Sequence, residues 1–216
     1  MSYDLFNPAP DNHSSHSVIH SLTPQTMEIE INGLKYIPDF ITSQEEQDLL
    51  TAINSEKWLA DLKRRVQHYG YKYDYKKRSL DYSMFIGEIP EWTKIIADRI
   101  VEQGLMKNAP DQVIVNEYLP GQGIADHIDC EPCFEDTVIS LGLGSHCIMD
   151  FKTKDDRKQK TEILLEPRSL VVITGEARYN WTHGISSREK DKWLGRYIAR
   201  RTRVSLTFRR VILDRK

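Results

Sequence analysis

From Gln112 to Val211 the chain is a succession of short β-branched or aromatic segments: VIVNEY, TVISLGL, HCIMDF, EILL, SLVVIT and RVSLTFRRV. Gly, Pro, Asp and Ser clusters separate them, and each segment is too short for a buried helix. Strands at this spacing predict an antiparallel β-sandwich or jelly roll. Upstream the texture is different. Leu49, Leu50 and Ile53 share one face of a helix that should begin near Ser43, where Ser43 and Glu46 have capping-box spacing. A second helix is predicted from about Pro90 to Val101, with Ile95, Ile96 and Ile100 as its apolar stripe and Gly104 as its stop. Met27 to Ile31 alternates like a strand, and Asn32-Gly33 supplies a hairpin-type turn into Leu34–Ile37. The expected fold class is therefore α+β: a double-stranded β-helix (jelly-roll) core with N-terminal supporting helices.

A chain of 216 residues is one domain's worth, and 39% hydrophobic content is enough to fill one core. The polar start, residues 1–25, reads as a flexible arm ahead of a domain spanning 26–216. It lacks the basic start and apolar stretch of a secretory leader. No apolar run reaches membrane-spanning length, which argues against a membrane partner. Three cysteines are few and odd in number, so no disulfide framework is expected, and a cytoplasmic or nuclear setting fits. Cys130 and Cys133 form a CxxC with no second half to complete a zinc site, and they read as incidental thiols. His146 and Cys147 read as core or edge residues, and Gly142 and Gly144 as strand or bend glycines.

Net charge is −2, but its distribution is uneven: Arg196 to Lys216 holds eight Lys/Arg against Asp214 alone, and Asp61 to Arg78 holds seven against Asp61 and Asp74. Such stretches either face a polyanion or are simply solvated.

The chemistry is concentrated in Asn116–Asp129, Trp181–Ile185 and Arg203–Arg209. His127 and Asp129 are two apart, so on an extended chain both side chains face the same way. His183 follows Asp129 by 54 residues, far enough to return on a neighbouring strand. Two imidazoles and one carboxylate make the facial triad that holds non-haem iron(II) and leaves coordination positions open. Arg203, Ser205, Thr207 and Arg209 alternate with Val204, Leu206 and Phe208, so a strand here has one polar, basic face. An arginine fork matches a carboxylate bidentately, and a dicarboxylate such as 2-oxoglutarate needs two anchors.

These elements, in the order N-x-Y-x-x-G-x-x-I-x-x-H-x-D, a distant His, then R-x-S-x-T-x-R, resemble the core of the AlkB family of iron(II)- and 2-oxoglutarate-dependent dioxygenases. The resemblance covers roughly Pro38 to Ile212, with Ser205 standing where the bacterial founder has Asn. It implies that His127, Asp129 and His183 ligate iron(II). It also implies that Arg203, Tyr118 and Ser205 bind the distal carboxylate of 2-oxoglutarate, and that Arg209 and Asn116 sit near the chelating end. With O2 as cosubstrate, the family couples decarboxylation of 2-oxoglutarate to succinate with oxygen insertion into a substrate C–H bond. The segment Lys63–Tyr73 interleaves basic and aromatic residues, as nucleic-acid sites do. By resemblance it forms a lid over an extruded nucleotide, and Arg65, Gln67, His68 and Tyr69 are its expected substrate contacts. The alternative is a hairpin with Tyr packed inward and Lys outward.

RRVQHYGYKYDY, PDQVIVNEYLPGQGIADHID and TGEARYNWTHGI look closest to the tRNA wobble-uridine hydroxylase branch, whose members usually add RNA-recognition and methyltransferase modules. The expected substrate is thus a modified base in RNA, a tRNA anticodon uridine. Repair-type demethylation of N-alkylated DNA or RNA bases is the alternative, and a protein or small-molecule substrate a third reading.

Overall fold

The computed structural model describes residues 29–60, 63–74, 79–155 and 158–213. The predicted N-terminal arm lies outside the described residues. In chain order the elements are β1 (Leu34–Ile37), α1 (Ser43–Ser55), β2 (Val66–Tyr71), β3 (Phe85–Gly87), α2 (Glu91–Glu102), β4 (Gln112–Tyr118), β5 (Ile124–His127) and β6 (Phe134–Leu143). There follow β7 (Cys147–Thr153), β8 (Lys160–Leu165), β9 (Leu170–Ile173), the short α3 (Gly175–Tyr179), β10 (Trp181–Ile185), β11 (Lys190–Trp193), β12 (Arg196–Ala199) and β13 (Arg203–Val211).

A seven-stranded sheet, β1-β9-β6-β13-β4-β2-β3, lies against a four-stranded one, β5-β10-β7-β8, and β11 and β12 form a separate hairpin. All pairings are antiparallel. This is the jelly-roll core that the strand texture predicts. The period-2 alternation of β13 explains why three layers form. Val204, Leu206 and Phe208 point outward and join Val113, Val115 and Leu141 under the helices, where Leu49, Ile53, Ile96 and Ile100 meet them. Each such fully buried side chain contributes roughly 1.5–3 kcal/mol. The opposite face of the large sheet, with Tyr118, Val171 and Ile173, packs on Met149, Phe151, Ile163 and Trp181 of the smaller sheet and its approach. No helix of the described residues is long and apolar enough to cross a membrane.

Four local expectations need correction. Ile29 to Ile31 is not strand; Asn32 and Gly33 form a turn instead, and their carbonyls accept from Ala177 N and Thr174 N. The start of α3 thus takes the backbone bonds a hairpin would have used, and β1 pairs with β9. Met27 and Glu28 lie outside the described residues. The capping box of α1 is Thr42 with Glu45, one residue earlier than Ser43 and Glu46. That shift leaves Glu46 free to accept from Gly144 N and Arg168, tying α1 to the large sheet. In α2 the buried face is Thr93, Ile96, Ala97 and Ile100, whereas Ile95 is 63% exposed. Cys130 and Cys133 are joined as a disulfide, so they are not incidental thiols, and Cys147 is the free, buried cysteine. As expected, Gly104, with positive φ, closes α2, its N–H donating to Val101.

Candidate metal and cosubstrate centre

Strands β5 and β10 pair with His183 directly opposite His127, so the two imidazoles stand side by side with ring centroids 4.5 Å apart. Asp129 lies two residues beyond the end of β5, ahead of the turn at residues 131–133, and faces the same space. One ligand atom from each of the three residues falls within 4.8 Å of the others. The Nδ1 of His127 lies 2.9 Å from the Ala125 carbonyl. Donation from Nδ1–H to that carbonyl fixes the tautomer and leaves the Nε2 lone pair for a metal. His183 is held neutral, its pKa lowered to about 3 mainly by burial and next by His127.

Burial pushes the Asp129 carboxyl up. The Arg209 guanidinium, with smaller contributions from His183 and His127, outweighs it and holds the group well below the usual carboxylate range. Its Oδ1 accepts from Arg209 Nη2 at 2.5 Å, while its Oδ2 is buried without a hydrogen-bond partner. A buried anionic oxygen with no donor is costly. A divalent cation between it and the two imidazoles removes that cost, so the donor set fits iron(II). Beneath, Arg178 of α3 is buried and donates to the carbonyls of Asp129, at 2.9 Å, and Cys130, at 3.3 Å.

The other wall is the inward face of β13. Arg203 stands opposite Tyr118 and Ser205 opposite Asn116 across the β13–β4 pairing, which makes a compact block of four polar side chains. Arg203 is 3% exposed. Its Nη1 donates to Ser145 O at 3.0 Å, and its Nε has no partner. At the far end of the strand, Arg209 lies 4.8 Å over the Phe134 ring and reaches Gln112 as well as Asp129. Between the walls is a cavity of about 380 Å³ lined by the triad, Asn116, Tyr118, Arg203, Ser205, Thr207 and Arg209, with Ile114, Ile128, Met149 and Ile185 among its apolar surface. The polar face of β13 is therefore interior and not solvated. Two carboxylate-matching forks at opposite ends of the cavity, one beside the metal ligands, suit a dicarboxylate.

The expected substrate contacts do not line this cavity. Val66 pairs with Asn116 and His68 with Ile114, so Val66 and His68 face inward while Gln67 and Tyr69 face the helices. Gln67 accordingly donates to Ile53 O in α1 at 2.8 Å. Tyr69 donates to Gln67 and packs edge-on against Trp92, centroids 5.4 Å apart. Arg65 grips Glu117 with two bonds, 2.6 and 2.7 Å, and lies 4.7 Å over Trp58. His68 is buried on the inward side but is not part of the lining. Arg64 and Tyr73 line it instead. Counting alternate positions back from an inward Asn116 partner would have found Arg64. Nor is the C-terminal basic stretch one solvated face: Arg200, with Arg188, clamps the buried Asp191 at the base of the β11–β12 hairpin, and Arg203 and Arg209 serve the cavity.

The family description of the 2OG-Fe(II) oxygenase superfamily matches residues 33–209. The chain is 39% identical over 206 residues to the alkylated DNA repair protein ALKBH8 homolog of Arabidopsis thaliana, covering 85% of this chain and 60% of that relative. It is 40% identical over 167 residues to the tRNA (carboxymethyluridine(34)-5-O)-methyltransferase ALKBH8 of Mus musculus, covering 74% of this chain and 25% of that protein. The chain thus corresponds to a part of each. Among solved structures, that of OsALKBH1 superposes with a TM-score of 0.61 at 19% identity, covering 82% of this chain and 98% of that one, a likeness of fold.

Proposed function

The chain belongs to the 2OG-Fe(II) oxygenase superfamily and, within it, to the AlkB family; from that premise we propose that it oxidises a modified base in RNA, a tRNA anticodon uridine. It is a dioxygenase that uses iron(II), 2-oxoglutarate and O2. In this reading His127, Asp129 and His183 hold the metal. Arg203, Tyr118 and Ser205 take the distal carboxylate of 2-oxoglutarate, and Arg209 and Asn116 flank the end that chelates.

The observation that carries the reading is one cavity holding the triad, with its orphaned Asp129 oxygen, at one end of an arginine-lined slot. The metal supplies oxygen activation when bound. The protein's own groups fix the carboxylates, exclude water with the Ile and Met walls, and keep Asp129 ionised through Arg209. Support for an RNA substrate comes from the mouse relative, whose name places its action on a tRNA uridine at position 34. The Arabidopsis relative's name, alkylated DNA repair protein, supports the second reading, oxidative demethylation.

The two outcomes differ chemically. Hydroxylation at a carbon not bonded to nitrogen gives a stable alcohol. Hydroxylation of an N-methyl group gives a hemiaminal that collapses and releases formaldehyde. The test is incubation with total tRNA and, separately, with N-methylated oligonucleotides, measuring nucleoside masses and formaldehyde. One added oxygen on a tRNA uridine without formaldehyde is the expected result. Formaldehyde from the oligonucleotides, with tRNA untouched, would replace it with the demethylase reading.

A further inference from the structure

The cavity carries more positive charge than its iron and cosubstrate need. Three arginines line it, Arg64, Arg203 and Arg209, against the one carboxylate of Asp129. His183 is neutral. Iron(II) brings two positive charges and 2-oxoglutarate two negative ones, so loading the site leaves the imbalance unchanged. Arg209 is committed to Asp129, and Arg203 is enclosed at 3% exposure against Ser145 and Gly142. Arg64 is different. It is only half-buried, and its Nε donates to Asn116 Oδ1 at 2.8 Å. Its guanidinium lies 5.4 Å over the Tyr118 ring. Among the described residues its Nη1 and Nη2 have no hydrogen-bond partner.

Its neighbour explains why it holds this pose. Arg65 is locked by two bonds to Glu117, by stacking on Trp58, and by its own carbonyl, which accepts from Glu117 N at 3.0 Å. Position 65 is fixed on the helix side of β4, and Arg64, in the bend that precedes β2, lines the cavity beside Asn116 and Tyr118. A planar cation with one edge pinned and the other edge free is preorganised for an oxyanion.

We propose that Arg64 is a substrate-binding residue that captures an oxyanion of the substrate, a carboxylate or a phosphate, at the edge of the cosubstrate pocket. Its bond to Asn116 serves both partners, since an amide oxygen turned to Arg64 leaves the amide N–H groups turned to the cavity. The assignment rests on the nucleic-acid reading only for the source of the anion, a phosphate of the chain or a carboxylate carried by the target base.

The test is calorimetric binding to the anaerobic protein loaded with iron(II) and 2-oxoglutarate, using uridine, uridine 5′-monophosphate and 5-carboxymethyluridine as probes. The wild type is expected to favour a charged probe over uridine by roughly tenfold to a hundredfold. Arg64→Ala should erase that preference and Arg64→Lys retain part of it, a pattern that mere misplacement of Asn116 would not give. Preference for the monophosphate identifies the phosphate as the anion; preference for the carboxymethyl nucleoside alone identifies the base carboxylate. A wild type that binds no charged probe better than uridine, or an Arg64→Ala protein that keeps the preference, overturns the assignment. Failure of the RNA reading shows separately, as tRNA left unoxidised.

Discussion

The guanidinium of Arg203 occupies the space where a side chain on Gly142 would begin. A Cβ added at Gly142 would stand 2.6 Å from both terminal nitrogens of Arg203 and 2.9 Å from its Cζ. β6 and β13 are neighbours in the large sheet, so the strand beneath the cosubstrate anchor must be bare at this position. Gly142→Ala is expected to displace Arg203 and raise the KM for 2-oxoglutarate roughly tenfold to a hundredfold, the worth of one charge-assisted hydrogen bond. Wild-type affinity in that variant, by titration with 2-oxoglutarate, would place the anchor elsewhere.

Arg203→Lys probes the same pocket from the other strand. Lysine keeps the charge but not the fork, so cosubstrate binding should weaken by about one to two orders of magnitude. Iron binding should be retained, since Arg203 touches none of the three metal-site residues. Metal titration beside cosubstrate titration separates the two.

His127→Ala and His183→Ala should each abolish succinate formation and lower iron(II) affinity, because two protein ligands remain where three converge. Chelation of the wild type should stop succinate formation while circular dichroism stays native, and iron should restore it. Wild-type succinate from either variant would dismiss the triad.

Glu45 links α1 to α2 through Arg99 and closes the α1 capping box. The Arg99 hydrogen bond, followed by the Thr42 N–H, lowers its pKa from 4.5 to about 2. A depressed folded-state value means the stabilisation is fully present above pH 4.5 and is lost as pH falls through about 2. The pair is partly solvated, so the expected contribution is only about 0.2–1 kcal/mol. Denaturant midpoints of wild type and Glu45→Gln should differ at pH 6 and converge toward pH 2; a constant gap would rule the pair out as its source.

The Cys130–Cys133 bridge closes a very short loop immediately after Asp129. Short loops restrict the unfolded chain least, so Cys130→Ser with Cys133→Ser should cost on the order of 2 kcal/mol or less. Intact-mass measurement should show two hydrogens gained on reduction of the wild type. Cys147, buried, should resist alkylation until the protein unfolds.

Alternation made much of this molecule legible in advance. Period-2 patterning placed β13 with its polar face inward, and the two-residue spacing of His127 and Asp129 put both on one side. The helix stripes were less secure, because Ile95 and Ile96 are equally apolar and only packing against β4 and β13 decides which is buried. The segment read as a lid, from its composition and its resemblance, was less legible. Arg65, Gln67 and Tyr69 look like nucleic-acid contacts, but a one-residue choice of register sends them to the helices and Arg64 to the cavity. Gly142 and Arg178 were illegible for another reason: each acts through a residue distant in sequence, Arg203 in one case and Asp129 in the other.

Arg178 grips the carbonyls of Asp129 and Cys130 from below, so the protein's own hydrogen bonds hold the backbone that carries the carboxylate. Two imidazoles and a carboxylate bind cobalt(II), nickel(II) and copper(II) more tightly than iron(II), following the Irving–Williams order. Iron occupancy is thus expected to follow the metal supply around the protein, and growth with surplus nickel or cobalt to yield folded protein that forms no succinate until the metal is exchanged.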